Sequence, residues 1–172
     1  MPLLDGLRPT SSRVRETLYN WLGQDLSGWR VLDAFAGSGA LGLEAASRGA
    51  ANTVLLEQRP ELVKALRAVV QRLKATALVE VQQTDALDWM ARPAAQQAFD
   101  LVLLDPPFAQ DLFERAMAAA EQCVPPEGWI YVESPHEVSS PDGLVLRRHG
   151  RAGQVHFHLF QRKGAEGDGV VS

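Results

Sequence analysis

Apolar and polar positions along the chain switch repeatedly between the period of a strand and that of a helix. Val14, Leu18, Trp21 and Leu22 fall on one face of a helix predicted over about Ser11–Leu22, with Thr10 as its cap. Arg30–Ala36 reads as a buried strand that passes through Gly37-Ser38-Gly39 into a helix stopped by Gly49. Thr53–Leu56 is a second apolar strand. Pro60 suits the first turn of a helix whose stripe is Leu62, Leu66, Val69, Val70 and Leu73. Leu78–Gln82 predicts a third strand, ending near Asp85 ahead of a short helix through Trp89. Phe99–Leu104 predicts a fourth strand that stops at Asp105. A helix over about Leu112–Cys123 and a fifth strand, Trp129–Glu133, follow. Leu144–Arg147 and Val155–Gln161 have no helix between them and read as a terminal hairpin.

Repeated strand–helix units imply an α/β, Rossmann-like, doubly wound sheet, mainly parallel and covered on both faces, with an antiparallel edge. The pattern predicts a single domain over residues 1–163, in which 1–24 form an N-terminal segment and helix over the site. The tail 164–172 (Gly-Ala-Glu-Gly-Asp-Gly and onward) reads as disordered.

Composition narrows the classes. With 172 residues, 46% hydrophobic and 22% charged, the chain can bury a core without staples. Cys123 is the single cysteine, so neither an internal disulfide nor a cysteine-built zinc site is available. No window approaches the roughly 20 apolar residues of a membrane span, and the start lacks a signal-peptide pattern, so the cytoplasm is the expected location. A net charge of −4 does not advertise nucleic-acid binding.

Gly37-Ser38-Gly39 between a strand and a helix brings backbone N–H groups close to a ligand. The spacing Gly37-x-Gly39-x-x-Gly42 also satisfies the dinucleotide pattern, so the loop alone does not choose between NAD and S-adenosylmethionine. Glu57, about 20 residues on at the end of the second strand, suits two ribose hydroxyls or is an ordinary strand end. Asp85 can cap a helix and accept from an adenine amine. Asp33, buried in the first strand, must find donors, either in the loop or in a cofactor's ammonium group.

Asp105-Pro106-Pro107-Phe108 is the most specific feature. It stands at the carboxyl end of a parallel strand, where open α/β sheets place their sites. Two prolines stiffen the turn and remove two N–H donors. The Asp105 carboxylate and the Pro106 carbonyl can then accept both hydrogens of one NH₂ group, with its lone pair aimed at a sulfonium methyl. Phe108 offers a flat face for a base.

The stretch FAGSGALGLEA followed by DPPF resembles the class I S-adenosylmethionine-dependent methyltransferases that act on amino groups. Leu7-Arg8-Pro9-Thr10, Arg13–Leu22, Tyr131-Val132-Glu133-Ser134 and Gly153-Gln154-Val155 are similar, more narrowly, to the bacterial 16S ribosomal RNA (guanine-N2) methyltransferases. The resemblance runs from Leu7 to about Arg162. It implies a seven-stranded sheet with the last strand inserted antiparallel, and S-adenosylmethionine as cofactor. It also implies that Asp33, Phe35, Ala36, Gly37, Ser38, Gly39, Glu57, Asp85 and Ala86 hold the cofactor and Asp105–Phe108 hold the guanine amine. Arg8, Thr10, Arg13 and Arg15 would cover the site and reach toward RNA. The partner implied is 16S rRNA or an assembled or partly assembled small ribosomal subunit, met by a monomer. Family members carry a basic, glycine-containing segment ahead of the Leu-Arg-Pro-Thr stretch, whereas here six residues precede Leu7. Either the start is truncated or RNA binding relies on other surfaces.

The same chemistry on another substrate, adenine N6 in DNA or a protein glutamine, is the first alternative; an NAD-binding module is the second. Arg147, Arg148 and Arg151 with His149 are either a phosphate-contacting patch or a solvated edge. His156 and His158 share a strand face, but without a third ligand nearby no metal is expected. Trp21, Trp29, Trp89 and Trp129 read as core or cap residues.

Overall fold

The computed structural model describes residues 12–106 and 110–164. Arg8, Thr10, Pro107, Phe108 and nearly all of the expected tail lie outside the described residues.

Helix α1 (Ser12–Leu22) buries Val14, Leu18 and Tyr19 and leads to β1 (Arg30–Asp33). The first strand ends at Asp33 rather than Ala36, because the chain already turns there into the glycine loop. Then follow α2 (Ala40–Ser47), β2 (Asn52–Glu57), α3 (Pro60–Arg72), β3 (Val79–Gln83) and the short α4 (Ala86–Met90). A 3-10 turn, β4 (Leu101–Leu104), α5 (Gln110–Cys123), β5 (Trp129–Ser134), β6 (Leu144–Ala152) and β7 (Val155–Arg162) complete the fold. Pro60 opens α3 as expected, and Leu62, Val63, Leu66 and Val70 pack it against the sheet, whereas Leu73, expected in the stripe, follows the last helical residue and is exposed.

The sheet has seven strands in the order β3-β2-β1-β4-β5-β7-β6. Strands β3, β2, β1, β4 and β5 are parallel, and β7 is antiparallel to both of its neighbours. This is the class I methyltransferase sheet that the resemblance implies. One core layer, on the α4–α5 side, contains Leu32, Val102, Leu104, Ile130, Val132 and Phe160. The other, under α1 and α2, contains Leu18, Tyr19, Val31, Leu101, Leu103, Tyr131 and Leu159. All four residues of β4 are buried, as a strand covered on both faces requires.

The four tryptophans are partly buried and pack on these layers; Trp21 stacks on Phe157 with ring centroids 5.3 Å apart. Cys123 is fully buried, and burial pushes its thiol up to about 11, so it behaves as a small apolar group. The strand β6 runs five residues beyond the apolar pattern, with a bulge between Leu146 and Arg148. Among the described residues no helix is long and apolar enough to cross a membrane.

Phe160 is fully buried opposite Ile130 in the first layer. Truncation by Phe160→Ala should cost about 3–5 kcal/mol, read as a lower urea midpoint at an unchanged slope.

Candidate active site

The five parallel strands end at one edge of the sheet, and the chemically distinctive side chains gather there. At the end of β1 the loop Ala34–Gly39 is tied on both sides. Ala34 N–H donates to the Leu103 carbonyl (3.1 Å) and Ala36 N–H to the Leu56 carbonyl (2.9 Å). Gly39 precedes α2 with φ of 84°, a left-handed backbone that suits glycine, and a Cβ there would stand 2.6 Å from Leu66 Cδ2. At Gly42 a Cβ would stand 2.4 Å from Leu55 Cδ2 and 3.0 Å from Asp33 Oδ2, so the third glycine is a packing requirement between α2 and β2.

Glu57 is buried at the end of β2, and its carboxylate is held by the main chain. Oε1 accepts from Gly37 N–H (2.9 Å); Oε2 accepts from Gln58 N–H (3.0 Å) and Arg59 N–H (2.9 Å). The carboxylate therefore fastens the glycine loop to the neighbouring strand. Asp33 is buried as well. Gly42 N–H, from the first turn of α2 just past the loop, donates to its Oδ2 at 3.0 Å. Burial pushes its carboxyl up to about 7; the Gly42 and Phe35 backbone bonds oppose this, and the charges of Glu133 and Glu57 add to it. Asp85 caps α4 by accepting from Asp88 N–H at 2.9 Å.

These groups line one cavity of about 600 Å³. It runs from the loop Asp33–Ser38, past Glu57 and Arg59 at β2, to Thr84–Leu87 beyond β3 and to Asp105 and Pro106 beyond β4. An elongated cleft with backbone N–H groups, carboxylates at two further strand ends and the apolar walls Phe35, Leu56 and Leu87 fits a nucleoside joined to an amino acid. Every cofactor residue expected from the sequence except Gly39 lines it; Gly39 shapes the turn behind the cavity.

A second cavity, about 800 Å³, opens between α5 and the segment after β5, lined among others by Phe113, Met117, Glu133, Ser134, His136 and Pro141. Pro106 lines both cavities, so the two meet at the head of the tetrapeptide. Glu133 is the penultimate residue of β5, buried, and accepts from Tyr131 O–H at 2.7 Å. Burial, reinforced by the Glu133 charge, raises the Tyr131 phenol well above its ordinary value. Sequence reasoning met Glu133 only inside a family match. An acid closing an otherwise apolar strand was the available signal. Arg13 is exposed on α1, while Arg15 is half-buried with Nε 3.9 Å from Glu44 Oε1.

Kinship agrees with this architecture. The family model described as Conserved hypothetical protein 95 matches residues 1–161. The ribosomal RNA small subunit methyltransferase D of Haemophilus influenzae is 38% identical over 168 residues, covering 94% of this chain and 87% of the relative. A solved Escherichia coli chain, yhhF, superposes with a TM-score of 0.83 at 40% identity over 94% of this chain and 91% of its own. An RNA methyltransferase from Salinibacter ruber, in complex with S-adenosyl-L-homocysteine, shares the fold with a TM-score of 0.72 at 17% identity, covering 94% of this chain and 97% of its own. The chain therefore belongs to the family of Conserved hypothetical protein 95, among the S-adenosylmethionine-dependent methyltransferases of the class I fold.

Proposed function

We propose that the chain methylates ribosomal RNA of the small subunit, at the exocyclic N2 amine of a guanine in 16S rRNA. The methyl donor is S-adenosylmethionine. The observation that carries the reading is the junction at Pro106, where the cavity running along the glycine loop meets a second one large enough for a nucleobase. The name carried by the Haemophilus influenzae relative supports rRNA as the substrate. The choice of guanine N2 rests on the tetrapeptide chemistry and on the resemblance of Arg8–Leu22.

In this reading Asp105 and the Pro106 carbonyl accept the two amine hydrogens. The nitrogen lone pair then faces the first cavity, and the charge that develops on nitrogen meets a fixed acceptor. Phe108 stacks the base. When bound, S-adenosylmethionine supplies an electrophilic methyl group. No strong base is needed, because the alkylated nitrogen is acidic and gives its proton to solvent once the new bond has formed. In-line positioning supplies most of the acceleration. Glu57 and Asp85 serve the adenosine end, Asp33 the amino-acid end, and Arg8, Thr10, Arg13 and Arg15 cover the bound base. The chain acts as a monomer in the cytoplasm.

Asp105→Ala, which removes a preorganised acceptor, and Phe108→Ala, which removes the surface that holds the base in line, should each lower turnover about 100-fold, while calorimetric titration still reports cofactor binding. Nucleoside digestion of the wild-type product should yield N2-methylguanosine. Near-normal turnover in both variants, or another methylated nucleoside, overturns the assignment.

Asp33 makes a separate, pH-dependent prediction. Its folded value of about 7 lies above the unfolded carboxylate value, so its contribution is complete below about pH 4 and is lost as pH rises through 7. Stability of the ligand-free protein should fall by roughly 4 kcal/mol at most across that window, and Asp33→Asn should flatten the fall in urea titrations. A cofactor ammonium group beside Asp33 would ionise it. Cofactor binding near pH 6.5 should then release protons, seen as heats that differ between buffers of different ionisation enthalpy.

A further inference from the structure

Charge is distributed unevenly along the chain. Residues 143–164 carry Arg147, Arg148, Arg151, Arg162 and Lys163 and no carboxylate. With a net charge of −4 for the whole, the remaining residues carry −9. Three of the four histidines, His149, His156 and His158, lie in the same segment. An edge strand is often blunted by charge, but charges of either sign serve that purpose, and here there is only one.

Register decides where these cations stand. Because β7 is antiparallel to both neighbours, β6 runs in the same direction as β4 and β5 and ends at the same edge of the sheet. Leu104 pairs with Val132, Val132 with His158 and His158 with His149, in one row across four strands. The next row on that face joins Ser134, His156 and Arg151. Asp105 and Glu133 fall between these two rows. The closing hairpin thus brings His156 and Arg151 to the rim that holds the tetrapeptide, two and three strand spacings from β4, or about 10 and 15 Å.

The side chains there suit an anion. Arg148, His149 and Arg151 are exposed, and no ion pair to them is found among the described residues; Arg148, paired with Leu159, stands on the opposite face of this edge strand from His149 and Arg151. Arg151 Nε donates to the Gly153 carbonyl (3.0 Å), which steadies the guanidinium over the turn. His149 and His156 stack at 5.3 Å with rings 10° apart, joined through Nε2 and Nδ1 at 3.1 Å. The second cavity, which opens at Pro106, is lined by Glu114, Glu121, Glu133 and Glu137, which repel phosphate while leaving an uncharged base unaffected.

We propose that the outer edge of the closing hairpin, with His149, Arg151 and His156 on one face and Arg148 on the other, binds the phosphate backbone of the RNA strand flanking the target nucleotide. The proposal rests on the reading of the chain as an rRNA methyltransferase. It gives an acidic protein a localised grip on a polyanion, separate from the pocket that takes the base.

The test compares wild type, Arg148→Gln/Arg151→Gln, the charge-preserving Arg148→Lys/Arg151→Lys, and a matched control, Arg72→Gln/Lys74→Gln, at the far end of α3. Substrates are deproteinised 16S rRNA and small subunits from a strain lacking the family enzyme. The hairpin Gln pair should raise KM about tenfold or more at unchanged kcat, and lower the slope of log affinity against log salt by about 1.4 for two single-strand contacts. The Lys pair should retain most of the affinity and the control all of it. Unchanged cofactor affinity in every variant shows that the fold is intact. A hairpin Gln pair indistinguishable from the control, or a Lys pair as weak as the Gln pair, overturns the proposal. If N2-methylguanosine forms in all variants with equal KM, the hairpin surface alone falls; if wild type methylates neither substrate, the functional reading falls with it.

Discussion

A sheet covered on both faces leaves polar side chains one place to go, and the site follows from that constraint. Leu101–Leu104 are wholly buried, and the first residue with a charge is the one at which the chain leaves the sheet, Asp105. Asp33, Glu57 and Glu133 obey the same rule at the ends of β1, β2 and β5. A buried carboxylate without donors costs several kcal/mol, so each must be satisfied locally. Gly42 N–H serves Asp33, three main-chain N–H groups serve Glu57, and a tyrosine hydroxyl serves Glu133. The glycine loop is thereby anchored by the very acids that line the cleft, and its shape does not wait for a ligand.

The apolar stripe of α3, the parallel strands and the terminal hairpin were legible because burial imposes strict periods on them. Strand ends were less so. The first strand stops at Asp33 because the loop turns early, although Ala34 and Ala36 remain buried and prolong the apolar pattern. The length of β6 was hidden for the opposite reason. Its bulge shifts the alternation after Leu146, and Arg148–Arg151 then falls outside the predicted strand although it is a paired edge strand. The glycine spacing alone did not choose a cofactor, since it serves two classes; the resemblance carried by the tetrapeptide did, and the likeness to ribosomal RNA small subunit methyltransferase D agrees with it. Nor does a lone acid announce its donors: Glu57 looks like a ribose acceptor in sequence, and in the fold its oxygens already bind the loop. Glu133 is close to Asp105 only through strand pairing, across 28 positions of chain.

Cavities and charge together suggest a division of labour along one rim. The first cavity lies over β1, β2 and β3, the second beyond β5, and the tetrapeptide begins where they touch. Apolar and carboxylate groups surround the second cavity, which favours a base with donor hydrogens over a phosphate. The cations are displaced to the outermost strand. On the proposed reading, separating the two kinds of recognition in this way lets the chain as a whole remain acidic.

The inverted β7 also decides where the polypeptide departs. Arg162 N–H donates to the Gly128 carbonyl, and its guanidinium donates to the carbonyls of Glu121 and Val124, so the end of β7 is pinned beside the beginning of β5. That is the edge of the sheet opposite the rim. An affinity tag, fluorophore or surface tether joined after Lys163 therefore starts from the back of the molecule, away from the rim where Asp105 stands.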